Sequence, residues 1–266
     1  MTNTNTKPLA VVTGASSGIG LELAKQFAEN GFDLLINAED AELADAAALL
    51  RATGTHVEAV QADLAAYSGV EQIYAAIRAT GRPVSAAALN AGIGQGGAFV
   101  DTDLTDELRL IDLNVRSTVH LAKRLLPDMV AQGEGKVLIT SSIASTMPGS
   151  FQAVYNASKS FVQSFALALQ EELKDSGVTI TSLMPGPTET NFFARADMAD
   201  TAVGKSAKDD AAQVAKQGFE ALMAGKSRVV GGSLKTKVQG VANKVLPEKV
   251  KAVAHRRMAE PGSGGE

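Results

Sequence analysis

Tyr155 and Lys159 stand four residues apart, with Ser142 thirteen positions before the tyrosine. On a helix, positions i and i+4 share a face, so a phenol and an ammonium at these positions project into one cleft. A free phenol, with a pKa of about 10, is a poor base at neutral pH, and a nearby ammonium stabilises its phenolate. Such a set can move a proton at an oxygen bound to carbon. Tyr155 would act as general acid or base, tuned by Lys159, while Ser142 hydrogen-bonds that oxygen and steadies its developing charge. Viewed alone, the pair reads equally well as one face of an amphipathic helix. Ser142 gives it weight, because it follows the apolar run at residues 137–139 and Thr140, which places its hydroxyl at the end of a buried strand.

A second cluster supplies what a proton alone cannot. After the apolar residues 9–12 comes Thr13, Gly14, Ala15, Ser16, Ser17, Gly18, Ile19 and Gly20, where a strand gives way to a helix. Glycines there let the backbone approach a pyrophosphate while the helix N-terminus faces its charge, and Ser16 and Ser17 add hydroxyls. The spacing is Gly-x-x-x-Gly-x-Gly, not the strict Gly-x-Gly-x-x-Gly fingerprint, and no Lys follows the last glycine, which excludes a triphosphate-cradling loop. A tight glycine turn without a ligand is the plainer alternative. The following strand, residues 34–36, leads into Asn37, Ala38, Glu39 and Asp40. A carboxylate at Glu39 accepts hydrogen bonds from ribose hydroxyls and repels a 2′-phosphate, which leans the cofactor toward NAD(H) within NAD(P)(H). Glu39 and Asp40 also fit as charges on the first turn of the next helix, a reading that leaves the cofactor open.

The elements that must position these groups are legible as an alternation. Apolar runs of strand length occur at residues 9–12, 34–36, 57–60, 86–89, 137–139 and 180–183, separated by amphipathic stretches at 21–29, 41–51, 70–78, 106–129 and 151–174. That pattern predicts an α/β chain with a Rossmann-like, doubly wound parallel sheet in three layers, whose ligands bind beyond the carboxyl ends of the strands. At 266 residues with 45% apolar composition, the chain is expected to form a single domain over 1–266, with flexible ends at 1–7 and 260–266. The absence of cysteine excludes a thiolate nucleophile and a disulfide framework. His56, His120 and His255 are too scattered for a metal triad, so no metal is expected. No apolar run approaches a membrane span, and a cytoplasmic location is expected.

Together these residues resemble the short-chain dehydrogenase/reductase family in its single-domain form. The resemblance rests on Thr13-Gly14-x-x-x-Gly18-x-Gly20, Asn90-Ala91-Gly92, Asn114, Ser142, Tyr155-Asn156-Ala157-Ser158-Lys159 and Pro185-Gly186. It implies that Asn114 completes a catalytic tetrad by holding a water that relays protons to Lys159. It also implies that Asp63 and Leu64 flank the adenine, that Asn90 supports the sheet beside the cofactor, and that Lys159 holds the nicotinamide ribose. Asn90, Ala91, Gly92, Pro185, Gly186, Thr188 and Thr190 then belong to the cofactor site with Ile19 and the rest of the glycine turn. Without the family, Asn114 is an ordinary helix residue and Asp63 the N-cap of the next helix. The chain departs from the family at Thr188, where Val or Ile is usual, and at Ala38, where many NAD-specific members carry Asp. A homodimer or homotetramer is implied.

Substrate recognition is expected from residues 93–99, 143–152 and 191–201, with Phe192, Phe193 and Met198 in a lid at 190–205. The lining reads as apolar, which predicts a neutral, hydrophobic ketone or secondary alcohol; Arg195 would serve as a carboxylate clamp only if the lid turned it inward. Residues 226–257 hold nine Lys or Arg against the single acid Glu248. Leu234, Val238, Val241, Val245, Leu246, Val250 and Val253 recur there at helical spacing, predicting two amphipathic helices within 234–258 broken at Pro247. Packing over the cleft or a neighbouring subunit is favoured over membrane-surface attachment, since there is no Trp and little aromatic anchoring. Nucleic acid is a weaker candidate still. The rivals to a working oxidoreductase are a non-catalytic dinucleotide sensor or scaffold and a peripheral membrane protein.

Overall fold

The computed structural model describes residues 7–243 and 246–265. Seven strands form one parallel sheet in the order β3-β2-β1-β4-β5-β6-β7. They are β1 (Leu9–Thr13), β2 (Asp33–Ala38), β3 (Val57–Gln61), β4 (Val84–Leu89), β5 (Gly135–Thr140), β6 (Val178–Pro185) and β7 (Arg228–Gly231). Every residue of β1 is buried, as a central strand covered on both faces requires. Alternate side chains sort to opposite sides. Val11, Leu35, Ala87 and Val137 join one core layer with α3 (Tyr67–Ala79), α5 (Ser117–Gln132) and α6 (Ala153–Glu172). Ala10, Val12, Ile36 and Ala88 join the other with α1 (Gly18–Glu29), α2 (Leu43–Arg51) and α9 (Ala211–Met223). Each large side chain fully buried in these layers, such as Phe27 or Ile73, contributes about 1.5–3 kcal/mol. The chain order reverses between β1 and β4, and that switch point fixes where a ligand can enter from the strands' carboxyl ends.

The six expected strands and five helical stretches are all present, with three differences. β7 is an added edge strand, too short at four residues to stand out as an apolar run. The stretch at 106–129 is not one helix: α4 (Leu104–Ile111) passes through a π-helical turn, Asp112–Arg116, into α5. A widened turn of this kind re-aims a side chain, and the residue at its centre is Asn114. The lid contains two four-residue helices, α7 (Phe192–Arg195) and α8 (Ala202–Lys205).

The C-terminal helices are α10 (Leu234–Ala242) and α11 (Glu248–Ala259), with Pro247 as the N-cap of the second. Of their expected apolar positions, Val245 and the side chain of Val241 lie outside the described residues, as do residues 1–6 of the N-terminal segment. The Gly/Ser-rich tail makes ties its composition did not announce. Gly262 N–H donates to Asp200 (2.7 Å), Gly264 N–H to the Asp200 carbonyl (2.9 Å), and Ser263 accepts from Ala202 N–H (3.0 Å). Among the described residues no helix is long and apolar enough to cross a membrane, and no group of acids and histidines has a metal-binding arrangement.

Candidate active site

Polar groups at three strand ends are tied into one frame. The Thr13 hydroxyl accepts from the N–H groups of Asn90 (2.9 Å) and Ala91 (3.0 Å). Asn90 returns its amide to the Thr13 carbonyl and accepts from the Thr140 hydroxyl at 3.0 Å. The ends of β1, β4 and β5 are therefore held by side chains where the ladder stops, each worth about 0.5–1.5 kcal/mol and costly to leave unpaired.

Against this frame sits the glycine turn. Gly14 and Gly18 have φ of +66° and +55°, left-handed values that disfavour a side chain. A Cβ on Gly20 would stand 1.9 Å from the Gly14 carbonyl oxygen and 2.6 Å from the Asn90 amide. Ser17, the N-cap of α1, makes no side-chain cap, so the first N–H groups of that helix remain available to an anion. Bare backbone, left-handed glycines and an uncapped helix N-terminus together fit a dinucleotide pyrophosphate.

The catalytic candidates meet at the far side of the same strand ends. Ser142 follows β5, accepts from Ala144 N–H at 3.1 Å and donates to the Pro185 carbonyl at 3.4 Å. Tyr155 and Lys159 are both buried on α6. Burial pushes the Tyr155 phenol up to about 12, with hydrogen bonding to Ser142 working the other way. Burial lowers the Lys159 ammonium to about 8; its Nζ donates to the Thr140 carbonyl at 3.1 Å and lies 5.9 Å from the Tyr155 ring centre. At neutral pH both groups keep their protons. Asn114 accepts from Ile93 N–H and donates to the Ile93 carbonyl, both at 2.9 Å, and donates to Ser158 at 3.1 Å. A side chain on Gly92 would meet the Asn114 oxygen at 3.0 Å and the Lys159 Nζ at 3.2 Å, so both polar atoms crowd the same point beside the Gly92 backbone.

All of the catalytic and cofactor-site residues expected from sequence except Asn114 line one cleft of about 450 Å³. Along it lie Gly14, Ser16, Ser17, Gly18, Ile19 and Gly20; Glu39, Asp63 and Leu64; Asn90, Ala91 and Gly92; Ser142, Tyr155 and Lys159; and Pro185, Gly186, Thr188 and Thr190. Thr188 is buried and bridges to Asp209, and Thr190 lies over Gly18, where an added methyl would stand 2.9 Å from its Cγ2. Asp63 accepts from Ala65 N–H at 2.9 Å, fastening the turn before α3, whose N-cap is Ala66.

The end of the cleft beyond β2 and β3 holds a residue the sequence reading missed. Arg109 of α4 pairs with Asp63 at 2.9 Å and with Glu39, so the carboxylate expected to meet the ribose already has a cation. Nothing local to β2 announces a partner seventy residues on; the fold alone brings α4 across. Asp40 accepts from Ser16 at 3.0 Å and leaves its second oxygen buried without a protein partner. Arg195 lines the cleft with its guanidinium 3.6 Å from Glu42.

That opposite end is closed by the lid and the C-terminus. The Phe192 ring lies 5.3 Å from Tyr155, and Ile143, Met147, Phe193 and Met258 add apolar walls. Gln152, in the stretch 143–152 expected to meet the substrate, and His255, to which the sequence assigned no role here, add polar groups. His255 shares a hydrogen bond with the Ser150 carbonyl through Nδ1 at 2.9 Å, and burial lowers its pKa, favouring the neutral ring.

Known proteins are similar to this chain in sequence and fold. A family model described as short chain dehydrogenase matches residues 8–200. An uncharacterized oxidoreductase from Bacillus subtilis, YmfI, is 32% identical over 189 residues, covering 69% of this chain and 76% of its own length. A short-chain dehydrogenase from Sphingobium yanoikuyae, solved with NADPH, superposes with a TM-score of 0.78 at 30% identity, covering 84% of this chain and 87% of that one. A short chain dehydrogenase/reductase from Burkholderia phymatum, solved with NAD, gives 0.79 at 26% identity over 91% and 93% of the two chains.

Proposed function

The chain belongs to the short chain dehydrogenase family, and on that premise we propose that it interconverts a neutral, hydrophobic secondary alcohol and its ketone, with Tyr155 as the proton-transferring group. The observation that carries this reading is the convergence of Ser142, Tyr155 and Lys159 in the cleft that also runs along the glycine turn and the uncapped start of α1. A bound nicotinamide dinucleotide supplies or accepts the hydride. In reduction, Tyr155 holds its proton at neutral pH and donates it to the carbonyl oxygen, while Ser142 hydrogen-bonds that oxygen as charge develops. Lys159, charged below about 8, places a cation beside the phenol and favours the phenolate left behind. Asn114, which fixes the Ile93 turn and brings its side chain near the Lys159 Nζ beside Gly92, would support a water that returns the proton to Lys159.

Apolar walls at Phe192, Phe193, Met147 and Met258, with Arg195 turned to Glu42, support a substrate without a carboxylate. The acids Glu39, Asp40, Glu42 and Asp63 outnumber Arg109 and Arg195 at the adenosine end, which supports a preference for NAD(H), since a 2′-phosphate would add charge of the same sign. Exposed Leu104, Leu108 and Ile111 on α4, beside Phe161 and Leu167 on α6, support self-association through these helices. Loss of the oligomer in sedimentation of Leu108→Glu is the expected outcome; an unchanged sedimentation coefficient places any interface elsewhere.

The test is a cofactor-linked assay over a panel of ketones and keto acids, repeated with Tyr155→Phe. Turnover should fall by about a thousandfold while dinucleotide affinity holds. Activity indifferent to that change refutes the mechanism, and a preference for charged keto acids refutes the substrate class.

A further inference from the structure

The two C-terminal helices are amphipathic in the reverse of the usual sense. A surface helix ordinarily buries its apolar stripe and gives its polar face to water. On α10 and the turn after it, Thr236, Gly240 and Asn243 face inward: Thr236 hydrogen-bonds Asp209, Gly240 fits against Val230, and Asn243 donates to Thr146 at 3.0 Å. On α11 the inward residues are Lys251, bonded to the Thr146 carbonyl (3.0 Å) and Glu248 (2.6 Å), His255, bonded to Ser150, and Ala259, buried against Phe193, Ala196 and Met198. Outward, at matching helical spacing, stand Leu234 (77% exposed), Val238 (60%), Val250 (49%) and Val253 (53%), with Leu246 in the connection between them. The helices pack over the cleft mainly through hydrogen-bonding groups and the small residues Gly240 and Ala259, which leaves Leu234, Val238, Leu246, Val250 and Val253 uncovered.

The same outer face is cationic. Lys237, Lys249 and Arg257 are exposed and have no acidic partner among the described residues. Glu248, the only acid in 226–257, is taken by Lys251. A second copy of this chain is a poor occupant, because an isologous contact would set these cations against each other. An apolar stripe flanked by unpaired lysines is complementary to an interface where hydrocarbon lies just beneath negative charge.

We propose that α10 and α11 form a docking face for an anionic phospholipid membrane, with Leu234, Val238, Leu246, Val250 and Val253 entering the headgroup layer and Lys237, Lys249 and Arg257 meeting its phosphates. Attachment is peripheral and independent of catalysis, and the face lies on the back of the helix that presents His255 and Met258 to the cleft.

Flotation of the full-length protein with phosphatidylcholine vesicles, with and without one quarter phosphatidylglycerol, tests this. Bound protein should rise at least about fivefold with the anionic lipid and fall again in 0.5 M salt (about three times physiological ionic strength). The double variants Val250→Ser/Val253→Ser and Lys237→Glu/Lys249→Glu should each lose co-flotation with unchanged melting temperature and dinucleotide affinity. All four positions are exposed, so folding should survive the changes. Absence of flotation with either vesicle overturns the proposal, as does binding that neither variant weakens. Self-association abolished by Val250→Ser/Val253→Ser, with no lipid binding, also overturns it by assigning the face to a second copy.

Discussion

The two ends of the cleft are built from different materials. The dinucleotide end is made of backbone: left-handed glycines, a helix N-terminus without a cap, and strand ends tied through Thr13, Asn90 and Thr140. The substrate end is made of side chains on short elements, the four-residue helices α7 and α8 and the loop after β5, joined by α11. Segments that short have no helical stability of their own and hold position only through packing. Among the described residues, the non-glycine positions with left-handed φ, Phe151 at +64° and Asp197 at +54°, both lie at this second end, where conformation is imposed by surroundings. A requirement that a whole family shares can be met by backbone that tolerates one side chain or none, whereas recognition of a particular substrate is left to parts that can be exchanged.

The contrast can be broken most sharply at Gly20. Alanine there would put a methyl 1.9 Å from a backbone oxygen of the same turn, with no flexible side chain to give way. Dinucleotide affinity in a fluorescence titration should fall by at least about a hundredfold, roughly 2.7 kcal/mol. Retained affinity in a variant that melts normally would mean the turn is more pliant than its geometry implies. At the other end, Phe192→Ala removes a ring packed on Tyr155 and over Gly94. Its expected effect is about a tenfold rise in KM for bulky ketones with kcat within about twofold, since only apolar contact is lost. The reverse split, kcat falling at constant KM, would assign Phe192 to holding the phenol in place.

The same division explains what the sequence disclosed. Glycines at 14, 18 and 20, Asn90 and the Ser142/Tyr155/Lys159 set sit at strand ends or on one helix face, where local spacing determines placement. Asn114 could be named by resemblance, but the π-helical turn that aims it has no local signature in the residue types. β7 escaped because four edge residues bury too little to form an apolar run. Arg109 and His255 escaped because their roles exist only once α4 and α11 are brought to the cleft from distant sequence. The C-terminal helices show the limit most clearly: their periodicity was readable, yet which face turned inward depended on Asp209, Thr146 and Ser150 offering partners to the polar side.

Glu39 offers the finest test, because it belongs to the rigid end yet its charge is set by a distant residue. Arg109 divides its guanidinium between Glu39 and Asp63, and all three side chains are about two-fifths exposed. Glu39→Gln removes one negative charge and frees part of Arg109 toward the ribose, so NADPH should gain on NADH. At such exposure one charge is worth about 1 kcal/mol, or about fivefold in the affinity ratio, and less in high salt. Arg109→Ala should act in the opposite direction, leaving Glu39 and Asp63 uncompensated and widening the margin for NADH. If both substitutions shift the ratio the same way, or neither shifts it, the ribose does not lie against this triad, and cofactor choice then falls to Asp40 and Ser16 at the turn.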